Sequence, residues 1–182
     1  MPTYISLLRG INVGGHNKVP MKQLAAMLEA LGFEQVRTHI QSGNVVFRAG
    51  KSSTATLSKK IEQRIEAEFG FPVSVVTRTP EELSDAIKGN PFRKECKTDP
   101  AKVFIAFLSE SPKPEAVKQL EARATAAEQA KCLGCSVYLC YGDGMGQAKL
   151  TGAVIERVLG VRATARNWNT VTKLYEMAIS PT

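Results

Sequence analysis

Arg9-Gly10-Ile11-Asn12-Val13-Gly14-Gly15-His16-Asn17-Lys18 sets three glycines between two cations. Glycine lets a backbone take positive φ and lets a ligand approach it closely. Successive N–H groups in such a loop can form an anion-binding nest, strengthened by a helix start just beyond. Arg9 and Lys18 add charge at its two ends, with Asn12, Gly14 and Gly15 between them. The run is not a phosphate loop closed by Gly-Lys-Ser/Thr, nor a G-x-G-x-x-G dinucleotide loop. Pro20 also removes one donor from the following helix start. The competing reading is a structural connection that packs Ile11 and Val13 inward.

Arg166-Asn167-Trp168-Asn169-Thr170 is the second unusual segment and holds the only tryptophan of the chain. An arginine beside an indole can stack a base and contact phosphate. Alternatively Asn169 or Thr170 caps the final helix and Trp168 anchors a core. Lys149 follows Gly142-Asp143-Gly144-Met145-Gly146 and reads as a further cation on a mobile loop. Cys132-Leu133-Gly134-Cys135 falls on a hairpin turn. Zinc would need two more ligands, and a redox CxxC normally sits at a helix N-terminus. The sequence therefore points to no metal and no cofactor. His16, in the glycine loop, and Lys149 are the candidate proton-transfer groups, whereas His39 alternates within a strand. No Gly-x-Ser-x-Gly elbow or motif-placed carboxylate pair is present, so no catalytic constellation is defined.

These segments need elements to position them. Thr3–Leu8 reads as a strand. Pro20 suits the first turn of a helix carrying Met21, Leu24, Ala25, Leu28 and Leu31, stopped at Gly32. Val36–Gln41 and Val45–Phe47 read as strands joined by a turn at Ser42-Gly43-Asn44. Leu57, Ile61, Ile65 and Phe69 mark a second helix, and Val73–Arg78 a strand. Thr79-Pro80-Glu81-Glu82 forms a capping box ahead of a short helix ending at Gly89. Asn90–Pro100 shows no apolar periodicity and reads as a linker. The order then repeats: strands at Val103–Leu108, Glu128–Cys132, Ser136–Cys140 and Val161–Ala165, with helices around Leu120, Ile155 and Leu174.

Both halves thus read β-α-β-β-α-β-α. The fold class is α+β, two tandem ferredoxin-like βαββαβ units, each followed by an extra helix, over residues 1–92 and 93–182. A single mixed sheet built from both halves is the alternative. Right-handed crossovers order the four strands of each unit 4-1-3-2. That order brings Arg9–Lys18 beside Gln41, Ser42 and Asn44. It also puts Tyr141–Lys149 at the same sheet end as Arg166–Thr170. The two clusters are expected to line one cleft between the halves, with Arg9 facing Arg166.

The chain has 182 residues, 43% hydrophobic and 23% charged, which excludes a disordered tail, a fibre and a disulfide scaffold. No run approaches the roughly 20 apolar residues of a membrane helix. The start, Met1-Pro2-Thr3-Tyr4, lacks a signal peptide pattern, so a cytosolic protein with no membrane partner is expected. The formal net charge is +7, and residues 1–60 alone hold eight bases against two acids. A local basic field favours an anionic partner such as a nucleotide or nucleic acid; solubility alone would also account for it.

Leu7-Leu8-Arg9-Gly10-Ile11-Asn12-Val13-Gly14-Gly15, Val19-Pro20-Met21 and Gln41-Ser42-Gly43-Asn44-Val45-Val46-Phe47 resemble the signature of a bacterial family of uncharacterised proteins, domain of unknown function 1697. Lys149-Leu150-Thr151 and Thr164-Ala165-Arg166-Asn167-Trp168-Asn169-Thr170-Val171 resemble its C-terminal signature, with Thr164-Ala165 where that family more often has two threonines. The resemblance implies a duplicated α+β fold and a cytosolic bacterial protein, and implies no activity. The leading functional expectation is a binding module for an anionic ligand. Arg9, Lys18, Lys149 and Arg166 would supply charge, and Asn12, Gln41, Asn44, Asn167 and Asn169 hydrogen bonds. The alternatives are an enzyme acting on a small phosphorylated or carboxylated metabolite, and a structural or interaction protein.

Overall fold

Strand β1 (Thr3–Leu8) alternates its side chains between two faces, and both faces are buried. Tyr4 and Leu8 join Val45 and Phe47 of β3 (Asn44–Arg48) on the face covered by helices. Those helices are α1 (Met21–Ala30) and α2 (Thr54–Phe69), which contribute Leu24, Leu28, Leu57, Ile61 and Ile65. Full burial of each such side chain is worth about 1.5–3 kcal/mol. With β2 (Glu34–His39) and β4 (Val75–Arg78) the sheet order is β2-β3-β1-β4, every neighbour antiparallel. Pro20 is the N-cap of α1 rather than its first helical residue. On α2 the Ser53 hydroxyl accepts from Thr56 N, and Gly70 at φ 81 ends the helix.

Three buried hydroxyls of this unit are linked to one another. Ser6 of β1 and Thr77 of β4 are register partners with oxygens 2.8 Å apart, and Ser58 of α2 donates to Thr77 Oγ1 at 2.9 Å.

Helix α3 (Pro80–Lys88) starts with the expected capping box: Thr79 N donates to Glu82 Oε2, and Glu82 N to Thr79 Oγ1. The segment read as a linker is instead ordered by a short helix, α4 (Arg93–Thr98), and a single 3-10 turn at Pro100–Lys102. Its anchors are Asn90 and Phe92, both buried, and Asn90 Oδ1 accepts from Phe92 N. Six residues are too few to display an apolar period.

The second sheet holds β5 (Val103–Leu108), β6 (Glu128–Leu133), β7 (Ser136–Tyr141) and β8 (Ala163–Asn167) in the order β6-β7-β5-β8. Helices α5 (Pro114–Glu121) and α6 (Gly152–Leu159) cover one face, where Leu120, Ile155 and Leu159 meet Ala106, Leu108, Leu139 and Tyr141. Helix α7 (Trp168–Ile179) follows β8 directly. Both sheets thus have the 4-1-3-2 order expected of ferredoxin-like units, and no single mixed sheet forms.

The computed structural model describes residues 1–180. The chain divides into one unit of Met1–Ser84 with the end of α7 from Leu174, and another of Asp85–Lys173. Among the described residues no helix is long and apolar enough to cross a membrane.

Candidate functional site: two loop clusters and a basic cavity

In the first unit the glycine loop and the β2–β3 turn are adjacent, as the topology requires. Asn12 is the staple. Its Nδ2 donates to Val19 O at 2.9 Å and to Gln41 O at 2.8 Å, and its Oδ1 accepts from Val19 N at 2.8 Å. Leu8 N donates to Gly43 O at 2.8 Å. Asn44 is fully buried, and its Nδ2 donates to His39 O and Ser42 Oγ. Asn12 and Asn44 therefore spend their amide hydrogens on holding the loop pair. Gly14, Gly15, His16, Lys18 and Gln41 are exposed, while Arg9 and Ser42 are half-buried. Burial of Arg9 lowers its pKa.

Of the two apolar residues expected to pack inward from this loop, only Ile11 does so. Val13 is 65% exposed, at the tip of a turn in which His16 N donates to Val13 O. Ile40, in the facing turn, is also exposed and sits at φ 51, a conformation β-branched residues rarely take.

In the second unit β7 and β8 both pair antiparallel with β5, so the loop after β7 and the start of α7 share a sheet end. The loop carrying Lys149 is anchored at its end rather than free. The Glu128 carboxylate accepts from Lys149 N and Leu150 N, and Tyr141 OH donates to Leu150 O at 2.7 Å. The cap of α7 is Asn167, whose Oδ1 accepts from Thr170 N at 2.9 Å, and neither Asn169 nor Thr170 takes that place. Asn169 is exposed.

Arg166 precedes that cap, and Arg78 occupies the matching position before the Thr79 cap in the first unit. Ile105 is the register partner of Arg166 as Ile5 is of Arg78. Each guanidinium donates through Nη1 to the preceding carbonyl, Ala165 O at 2.9 Å and Thr77 O at 3.0 Å. Burial pushes the pKa of Arg166 down to about 10, so it is still a cation at neutral pH.

Trp168 lines a cavity of about 460 Å³ together with Ile87, Lys88, Asn90, Arg93, Cys96 and Lys97. The indole is half-buried and forms one wall. Lys88 ends α3, while Arg93 and Lys97 are four residues apart and share one face of α4. Arg93 is oriented by donating from Nη2 to Lys88 O at 2.7 Å. Among the described residues no acidic side chain lines the cavity. Burial, then the neighbouring Glu95 carboxylate, pushes the Cys96 thiol up to about 11, so it is a neutral thiol at pH 7. Lys88, Arg93 and Lys97 were not among the residues singled out from sequence. Their signal was present as an i, i+4 pair of bases, hidden by the reading of that stretch as a linker.

Cys132 lies in β6 and Cys135 in the β6–β7 turn, neither in a disulfide, and burial raises the pKa of Cys132. Among the described residues no group of three or more His, Cys, Asp or Glu is gathered as a metal site would need.

A mixed α/β protein with two four-stranded antiparallel sheets and a cation-rimmed cavity is the class these observations define. The chain belongs to the family of proteins of unknown function DUF1697, whose model matches residues 1–138. That span includes the first loop cluster and three cavity cations, and stops short of Lys149 and Arg166–Asn169. The conserved bacterial protein SP0830 from Streptococcus pneumoniae has a similar structure, with a TM-score of 0.74 at 24% identity, over 97% of this chain and 98% of that one. At that identity the likeness speaks for the fold. No curated protein matches the sequence.

Proposed function

We propose that this protein is a binding module for an anionic ligand carrying an aromatic ring, a nucleotide or a nucleic acid. The observation that carries the reading is the cavity whose lining combines Trp168 with Lys88, Arg93 and Lys97. An indole offers a stacking face, and cations attract phosphate at short range. Arg166 and Asn169, within two residues of Trp168 in sequence, are further candidate contacts on the same unit. Arg9, Lys18, Gln41 and Ser42, on the loop pair of the first unit, form a second candidate anion contact. The net charge of +7 supports an anionic partner, and the family resemblance supports a bacterial cytosolic setting and an origin by duplication.

The test uses the single tryptophan as its own probe. Titration of the full chain with nucleoside monophosphates, nucleoside triphosphates and a 12-nucleotide oligomer is expected to change Trp168 fluorescence saturably for at least one of them. Arg9→Ala and Arg166→Ala, separately and together, then report whether either loop cluster contributes. If no probe alters the emission and none raises thermal stability, the reading is wrong.

A further inference from the structure

We infer that the occupant of the Trp168 cavity is a single-stranded nucleic acid bound without sequence preference, rather than a free nucleotide. The inference rests on the binding reading above and narrows it to one ligand class. Recognition of a free nucleotide needs groups that read the base edge and a close cradle for its phosphates. Among the lining side chains only Asn90 has the amide donor and acceptor that read an adenine edge. Asn90 is the neutral amide among its lining residues, and it is 1% exposed. Its Oδ1 already accepts from Phe92 N and its Nδ2 donates to Cys96 Sγ, so it holds the chain turn rather than facing a base. Ile87 and the neutral Cys96 thiol add apolar surface.

The charged side chains are of a different kind. Lys88, Arg93 and Lys97 are all exposed and come from the end of α3 and one face of α4. Long exposed cations follow a phosphate backbone without fixing any one phosphate. Every base presents a π-face, so stacking on one indole tolerates any sequence. A duplex hides those faces in its own stack, so a wall formed by Trp168 selects an unpaired strand. The combination of one aromatic platform, exposed cations and an amide already engaged within the chain is the chemistry of sequence-tolerant strand binding.

The experiment follows Trp168 emission in the full chain with 12-mers of dT, dA and mixed sequence, a duplex of the same length, ATP, UMP and inorganic triphosphate. Quenching by every single strand is expected, within about threefold of one another, with the duplex and mononucleotides at least tenfold weaker. If the three cavity cations each neutralise one phosphate, log K should fall against log salt with a slope of about −2, at about 0.7 per phosphate. Lys88→Ala with Lys97→Ala, both exposed positions, should reduce that slope by about 1.4 and leave the thermal midpoint unchanged. Trp168→Phe, read by anisotropy of a labelled 12-mer, should retain part of the affinity that Trp168→Ala loses. Equal affinity for ATP and the 12-mer would overturn the strand inference and leave the nucleotide-binding reading standing. A duplex bound as tightly as the single strand, or a slope untouched by the double variant, would also overturn it. Silence toward every probe would end both.

Discussion

Gly43 offers a direct test of how the first loop cluster is held. It sits at φ +87, and a Cβ built on it would lie 2.7 Å from Leu8 Cβ and 2.8 Å from Ile11 Cδ1. Leu8 and Ile11 are themselves buried, so neither can swing into solvent. Gly43→Ala therefore carries two costs. The positive φ is worth about 1–3 kcal/mol for an L side chain. Forcing a methyl group into a filled core adds about 1–3 kcal/mol more. Gly10 is the internal control, because it has φ +70 but nothing within 4 Å of its added Cβ. Gly10→Ala should carry the first cost alone. Urea denaturation followed by far-UV circular dichroism should then rank Gly43→Ala below Gly10→Ala by about 1–3 kcal/mol, or roughly 2–12 °C in thermal midpoint. Equal losses for the two variants would refute the close approach of the turn to Leu8 and Ile11.

Asn12→Ala removes three hydrogen bonds that join the glycine loop to Val19 and Gln41, and is expected to cost about 2–3 kcal/mol in the same denaturation assay. Burial, helped by the Glu128 charge, pushes Tyr141 up to about 12. A phenol whose folded pKa lies above its unfolded value of about 10 gives stability that is fully present below pH 10 and lost as pH rises toward 12. Stability measured across that window should fall, and Tyr141→Phe should flatten the fall; burial also raises Tyr138, which leaves a residual slope. At pH 8 a thiol with a pKa of about 11 is only about a thousandth ionised, so iodoacetamide mapped by mass spectrometry should modify Cys96 slowly, and rapid alkylation there would contradict its burial. Cys132 and Cys135 should be reduced and free of zinc in purified protein, and stoichiometric zinc by elemental analysis would overturn this.

The strand order was legible because hydrophobic spacing and turn residues leave few alternatives once each unit reads β-α-β-β-α-β. The same order brought the glycine loop beside Gln41. The Thr79 and Glu82 capping box was legible because it is local. Other features depend on tertiary partners. Asn12 reads from sequence as a ligand donor, but its amide lies between two carbonyls that only the folded loop pair supplies. Asn167, Asn169 and Thr170 are all good caps, and the choice of Asn167 follows from where β8 ends. Helix α4 is fixed by Phe92 and Asn90 rather than by its own period. Two of the cavity's cations show in sequence as an i, i+4 pair, but the cavity itself does not, since its indole lies far from them in the chain.

The three hydroxyls of Ser6, Thr77 and Ser58 act on the alignment of the chain more than on its net stability. Ser6 and Thr77 are opposite one another only in the observed pairing of β1 with β4. Sliding β4 by one residue turns Thr77 to the other face of the sheet and takes it away from Ser6 and Ser58. Each stranded hydroxyl then costs about 1–3 kcal/mol, whereas the paired set in the native alignment gains only about 1 kcal/mol per bond. β4 is four residues long, and most of it is Val, Val and Thr, which would fit a shifted register almost as well by size. The hydroxyl chain therefore works as a proofreading mark on β4, penalising wrong alignments more than it rewards the right one.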